Sequence, residues 1–297
     1  MKKLVFCLLI SAVFQTISAQ TANSFYTDIV SKTSEATILN HLTTFENFGV
    51  KTVGSKALTN AENWITDYYK SLDYTDIELQ AFTYRKGTSN NIIVTKKGTK
   101  YPDTYIIIDA HYDTINGPGT NDNGTGTVLI MEMARLLKDI DTEYSIKFIH
   151  FSGEEDGLLG SKYYVKNTVI PQDLDIKLVF NIDEVGGVNG LTNDTIVCER
   201  DLGKPKSNNE ASNAVTIQLA SYMELYSNLK TEIANAYASD YMPFEDQGFT
   251  ITGLFEKHES PVNHTAKDDL THMDVTYVYE VTKGAIGAAL EFAVASE

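Results

Sequence analysis

The chain has 297 residues, 42% of them hydrophobic, with 40 Asp and Glu against 24 Lys and Arg and a formal net charge of −16. Such a composition belongs to a folded globular protein and excludes a disordered or low-complexity chain. The acidic balance argues against nucleic-acid partners, which need clustered Lys and Arg. Beyond the N-terminus no stretch reaches about 18 uninterrupted apolar residues, so no membrane-spanning domain is expected.

The first elements in chain order are those of an export signal. Lys2 and Lys3 form a positive start, Leu4 to Phe14 an apolar run, and Ile17-Ser18-Ala19 a small-residue cleavage site. Residues 1–19 are therefore expected to leave on export to the periplasm or the medium, with no membrane association afterwards. Cys7 would leave with them. Cys198 would then stand alone, without an intramolecular disulfide.

From Ile38 to Tyr69 the pattern is helical, broken around Gly49–Gly54, and strands are predicted at Ile77–Tyr84 and Asn91–Lys96. Tyr105–Ala110 is an apolar, β-branched run of the kind buried in an α/β sheet. A Gly- and Asn-rich loop over 116–126 follows. Thr127 to Lys138 then places Leu129, Met133, Leu136 and Leu137 at helical spacing. Further strands are predicted at Ile146–Phe151, Lys177–Ile182, Asp194–Cys198 and Ile251–Phe255. Helices are predicted at Leu158–Asn167 and Asn209–Tyr226, and a final one from Val275 to Ala295 capped by Asp274. Strands separated by helices imply one α/β domain over residues 20–297, its sheet covered on both faces.

The chemistry gathers at strand ends, where open α/β sheets bind ligands. His111 follows the first apolar strand, Glu154 and Glu155 the second, and Asp183 the third; loops carrying Asp122 and His264 reach the same rim. Imidazole with carboxylate suits zinc and its neighbours. Two histidines and three carboxylates exceed one tetrahedral site and suit two metals sharing a bridging carboxylate. Asp113 is placed to accept the free ring N–H of His111, and Asp268 to do the same for His264. One of the paired Glu residues would remain as general base. Taken singly these residues have plainer readings: a structural His, a solvated Glu-Glu turn, an Asn-Asp-Asn-Gly turn. His150 reads as core, His41 as surface, and Met131 and Met133 as packing. Phe244, Phe249 and Phe255 are core or pocket wall.

The series His-Tyr-Asp-Thr (111–114), Pro-Gly-Thr-Asn-Asp-Asn-Gly (118–124), Ser-Gly-Glu-Glu-Asp-Gly-Leu-Leu-Gly-Ser (152–161), Asn-Ile-Asp (181–183), Ser-Asp-Tyr (239–241) and Asn-His-Thr (263–265) resembles the co-catalytic zinc aminopeptidase family. That family includes secreted leucyl-type aminopeptidases, glutamate-carboxypeptidase-like enzymes and glutaminyl cyclases. The resemblance covers roughly residues 35–296. It implies a mixed twisted sheet between helices and two zinc ions per chain. His111 and Asp183 would hold one zinc, Glu155 and His264 the other, and Asp122 would bridge them. Glu154 would be general base and acid, with Asp113 in support. Ser239 and Asp240 match a late motif that supports the site, and Tyr237 lies where some members place a tyrosine beside the scissile carbonyl. Glu184 departs from the family by standing where many members carry an apolar residue, facing either the substrate pocket or solvent. Lys51 and Thr52 replace an early arginine. The activity implied is hydrolysis of N-terminal residues from peptides with a free N-terminus, by a monomer. The alternatives are a glutaminyl cyclase, a carboxypeptidase or dipeptidase gripping its substrate through Lys257, or a non-catalytic binding protein.

Overall fold

A computed structural model describes residues 21–85 and 87–296. The export signal and Cys7 lie outside the described residues. Helices α1 (Ser24–Val30), α2 (Glu35–Asn47) and α3 (Lys56–Ser71) open the chain, followed by the hairpin β1 (Ile77–Tyr84) and β2 (Gly87–Lys96). Strand β3 (Tyr101–His111), helix α4 (Gly124–Leu137) and strand β4 (Tyr144–Phe151) come next, then the short helix α5 (Leu159–Tyr164) and strand β5 (Asp175–Ile182). Strand β6 (Thr195–Arg200), helix α6 (Asn209–Tyr226), strand β7 (Lys230–Asn235), helix α7 (Met242–Glu245), strand β8 (Ile251–Glu256) and helix α8 (Val275–Ala293) complete the fold.

The strands form an eight-stranded mixed sheet in the order β1-β2-β4-β3-β5-β8-β6-β7. The central four, β4, β3, β5 and β8, run parallel, so their carboxyl ends share one rim. The flanks reverse direction, with β2 antiparallel to β4 and β6 antiparallel to β8.

Strand periodicity sorts side chains between two cores. Ile106, Ile108 and Ala110 of β3 join the larger cluster, packed with Leu129 and Met133 of α4 and Ile286 of α8. Ile107 points the other way, into a cluster with Phe151, Tyr164 and Phe244. A strand buried on both faces has no polar face to alternate with, which is why its sequence is a continuous apolar run.

Several boundaries move relative to the sequence reading. Helix α4 begins at Gly124, not Thr127, because Asn123 caps it by accepting the Gly126 N–H at 2.9 Å. The helix predicted over 158–167 is α5, continued by a π-helical turn over Val165–Val169. The last helix stops at Ala293, and Ala295–Ser296 pairs with Asp141–Thr142. Helix α1, strand β7 and the one-turn helix α7 were not anticipated. His41, expected at the surface, is buried, its ring edge-on to Trp64 and Tyr68. Met131 and Met133 are core, as expected.

The start of α4 is pressed onto the two strands that carry His111 and Asp183. Asn123 Nδ2 donates to the Ile182 carbonyl at 2.8 Å, and a Cβ at Gly126 would overlap that same carbonyl and lie 2.9 Å from Ala110 Cβ. Gly126→Ala is therefore expected to overpack the junction and lower stability by about 1–3 kcal/mol. A fall in the urea midpoint at unchanged slope would show it; an unchanged or raised midpoint would contradict this packing.

Candidate metal centre

Each of the four parallel strands delivers one part of the site. His111 ends β3, Glu154 and Glu155 stand in the turn after β4, Asp183 follows β5, and His264 lies in the loop after β8. Asp122 sits just before α4, and the Asp122–Asn123 peptide is cis.

The donor atoms converge as two groups sharing Asp122. One comprises His111, Asp122 and Asp183, the other Asp122, Glu155 and His264, with ligand atoms in each group within 4.8 Å of one another. His111 Nε2 is 3.2 Å from Asp122 Oδ1 and 3.4 Å from Asp183 Oδ1. His264 Nε2 is 2.8 Å from Asp122 Oδ2 and 3.0 Å from Glu155 Oε2. Asp122 therefore turns one oxygen to each histidine. Glu155 Oε1 is buried without a hydrogen-bond partner, and among the described residues Asp122 Oδ2 and Asp183 Oδ1 are met only by the histidine nitrogens facing them. Buried carboxylate oxygens are seldom left unpaired, and oxygen and imidazole donors converging around two centres fit a pair of divalent ions of the zinc type.

The surrounding hydrogen bonds orient these donors. His111 Nδ1 faces the Asp113 main-chain carbonyl at 3.1 Å, which requires the proton on Nδ1 and leaves Nε2 free toward the carboxylates. This corrects the expectation for Asp113. Its carboxylate stands 3.8 Å from the ring and instead accepts the Glu154 N–H at 3.1 Å, because a main-chain carbonyl two residues on already occupies the ring's in-plane direction. Asp268 is also corrected. Rather than orienting His264, its two oxygens accept the N–H groups of Asn121 at 2.7 Å and Asp122 at 3.1 Å, tying down the backbone of the residue that both donor groups share. Ser239 Oγ donates to Asp183 Oδ2 at 2.6 Å, leaving Oδ1 to face the centre.

Electrostatics follow from burying so many acids together. Burial pushes the Glu154 carboxyl up to about 9, reinforced by Asp240, Asp183 and Asp113. Burial and then Asp122 push Glu155 up to about 9. Burial alone would lower His111, yet Asp183 and Asp122 outweigh it and hold the imidazole well above its ordinary value. Hydrogen bonding to Asp122 raises His264 to about 9. For Asp122 the two histidines overcome burial and hold the carboxyl well below the usual range.

A cavity of about 120 Å³ opens on these groups and is also lined by Glu184, Glu199, Tyr237, Ala238, Tyr241 and Phe255. Of the supporting residues read from sequence, Tyr237 is 77% exposed at its mouth. Asp240 is fully buried, which raises its carboxyl well above the usual range, and does not line the cavity. Glu184 faces the cavity, its carboxylate accepting from Asn263 Nδ2, and burial with the nearby acids pushes it up to about 10. Of the three phenylalanines Phe255 is pocket wall, whereas Phe244 is core and Phe249 packs beside it.

The remaining candidates fall elsewhere. His150 is buried against the Tyr69 hydroxyl at 2.9 Å, and His272 is paired with Asp269. Lys257 is paired with Glu232 at an adjoining groove. Two buried residues went unread. Glu199 accepts the Tyr241 O–H at 3.0 Å and the Tyr237 N–H at 3.3 Å. Glu256 accepts from Asn121 Nδ2 at 3.0 Å and from the Gly187 N–H at 2.6 Å, and so joins Asn121 to the loops around Asp122. In sequence each is a strand glutamate, indistinguishable from one facing solvent.

Comparisons with known proteins give the chain's family and fold relatives. The chain is 34% identical over 205 residues to aminopeptidase YwaD of Bacillus subtilis (strain 168), covering 66% of this chain and 43% of that protein. It thus spans less than half the length of that curated relative. The solved zinc aminopeptidase BSAP from Bacillus subtilis superposes with a TM-score of 0.59 at 27% identity, over 70% of this chain and 51% of that one. The Legionella pneumophila LapA aminopeptidase shares the fold, with a TM-score of 0.79 at 20% identity over 92% of this chain and 77% of that one. The family model described as peptidase family M28 matches residues 91–289, a span holding all five convergent donors and Glu154. The chain belongs to peptidase family M28.

Proposed function

We propose that the protein is an exported, zinc-dependent aminopeptidase that removes N-terminal residues from peptides with a free N-terminus. The observation that carries this reading is the division of Asp122 between two histidines, with Glu154 beside the donors yet outside both groups. Relatives named as aminopeptidases support the reaction class, and a neighbour named as a zinc aminopeptidase supports the metal.

In this reading His111, Asp183 and Asp122 would hold one zinc ion, and Glu155, His264 and Asp122 would hold a second. When bound, such a pair supplies Lewis acidity toward the scissile carbonyl and lowers the pKa of water at the site. Glu154 takes a proton from the attacking water and delivers it to the leaving amine. The N–H of Glu154 is held by Asp113, so the backbone of the base is anchored to the same turn that orients His111. Ser239 and Asp268 keep Asp183 and Asp122 in place. The small cavity admits one chain end rather than an extended segment, which suits an exopeptidase.

Purified protein given matched peptides with free and acetylated N-termini is expected to release residues stepwise from the free peptide alone, and a chelator should abolish release. Cyclisation of N-terminal glutamine without cleavage would instead mark a glutaminyl cyclase, and loss of C-terminal residues a carboxypeptidase. Glu154→Gln should retain two metal ions, counted by native mass spectrometry, while turnover falls about 10²–10⁴-fold. Wild-type turnover in that variant would remove Glu154 from the role.

Ser239→Ala leaves Asp183 without its partner and should weaken metal affinity about 10–100-fold. Competition with a chelator would measure it, and an unchanged affinity would deny Ser239 that role.

The raised carboxyls and imidazoles also fix the sign of a pH effect. Glu155 and His264 are each raised to about 9 and His111 is held above its ordinary value, so in the metal-free protein these groups keep protons to higher pH than usual. Metal binding needs all three deprotonated, so it must release protons, and apparent affinity should climb as pH rises toward 9. Calorimetry in two buffers of different ionisation enthalpy would read more than one proton released per chain; equal enthalpies in both would contradict the charge states.

A further inference from the structure

The cavity is also lined by carboxyl groups that the hydrolytic reaction does not use. The donors Asp122, Glu155 and Asp183 and the base Glu154 bring four negative charges, which two divalent ions balance. Glu184 and Glu199 face the same cavity in addition, and among the described residues no Lys or Arg lines it.

The two glutamates are not equivalent. Both oxygens of Glu199 are taken by Tyr241 and Tyr237, so it serves the protein. Glu184 has Asn263 Nδ2 on one oxygen only. Its backbone is held at φ +47, in the left-handed region that side-chain-bearing residues avoid. Neighbouring contacts impose that conformation: its carbonyl accepts the Glu256 N–H at 2.9 Å, and the next residue, Val185, donates to Thr125 Oγ1 at 3.1 Å. Strain of this kind persists where the surrounding structure over-determines it and is found at ligand-binding positions. The lining also offers apolar surface in Phe255, Ala238 and the exposed ring of Tyr237. An aliphatic stem packs on such a wall while its charged head reaches a carboxylate.

Resting on the aminopeptidase reading, we propose that Glu184 is a specificity-determining residue that selects peptides whose N-terminal residue has a cationic side chain, lysine or arginine. The stem lies along Phe255 and Tyr237, and the ammonium or guanidinium meets the free oxygen of Glu184. A charge-assisted contact in a partly desolvated pocket is stronger than a neutral one, and a pocket built to pair a polar group discriminates against an analogue lacking it.

Lysine and norleucine share the same four-carbon stem, so a matched pair of N-terminal lysyl and norleucyl peptides isolates the charge. The wild-type kcat/KM is expected to favour the lysyl peptide at least tenfold. Glu184→Met should reduce the lysyl-to-norleucyl ratio about 10–100-fold, and Glu184→Gln should fall between. Bound metal is counted in each variant. Because Asp183 is adjacent, any damage to the metal centre lowers both substrates together and cancels in the ratio. An unchanged ratio in Glu184→Met, or a wild-type enzyme that prefers norleucine, overturns the proposal while leaving the aminopeptidase reading intact. An equal loss on both substrates with metal retained also overturns it, assigning Glu184 to the α-amine. Failure to release any N-terminal residue, leucine and alanine included, removes the reading on which the proposal stands.

Discussion

Carboxyl groups crowded at one buried rim need cations, and most of this fold serves that requirement. Asp122, Glu154, Glu155 and Asp183 converge with the buried His111 and the half-exposed His264. Burying a charge without a partner costs far more than a surface ion pair returns. Metal-free, the site meets the cost by holding protons, which is the physical content of the raised Glu154, Glu155 and His264. Divalent ions meet the same demand with chemistry attached.

Holding such donors against their mutual repulsion takes a rigid frame. Four parallel strands anchor the acids, and secondary contacts lock the loops. Asp268 grips two consecutive N–H groups around Asp122, and Glu256 joins Asn121 to the loops that follow β5 and β8. Lys51 plays a comparable part from the early loop. Its buried ammonium donates to the carbonyls of Pro118 at 2.5 Å and Gly49 at 2.8 Å and lies 3.9 Å over the Phe45 ring. Burial pushes this ammonium down to about 7, yet the carbonyl cage keeps it close to the loop that presents Asp122. Lys51 thus acts as a clamp between two loops.

Some of this was legible beforehand. The run Tyr105–Ala110 announces a strand buried on both faces, and a histidine directly after it is placed at the strand's carboxyl end by the chain itself. The same local logic put Glu154, Glu155 and Asp183 on the rim. The strand β7 and helix α7 escaped for equally local reasons. Lys230–Asn235 is an exposed edge strand without an apolar face, and Met242–Glu245 is a single turn too short to show a period.

What the sequence determined by itself was therefore the class of the sheet, the order of its central elements and the identity of the convergent donors, because each depends on side-chain type and position along one strand. Tertiary structure decided the rest. Asp113 and Asp268 were rightly placed near the site and wrongly paired, since hydrogen-bond partners separated by about 150 residues, as Asp268 and Asn121 are, come from loop packing that no local spacing encodes. His41 shows the same limit: its burial depends on Trp64 and Tyr68 of a different helix. The orientation of Glu184 needed the most context. A glutamate after a metal-site aspartate reads equally as pocket or solvent, and only the contacts that hold its backbone at positive φ turn its carboxyl to the cavity.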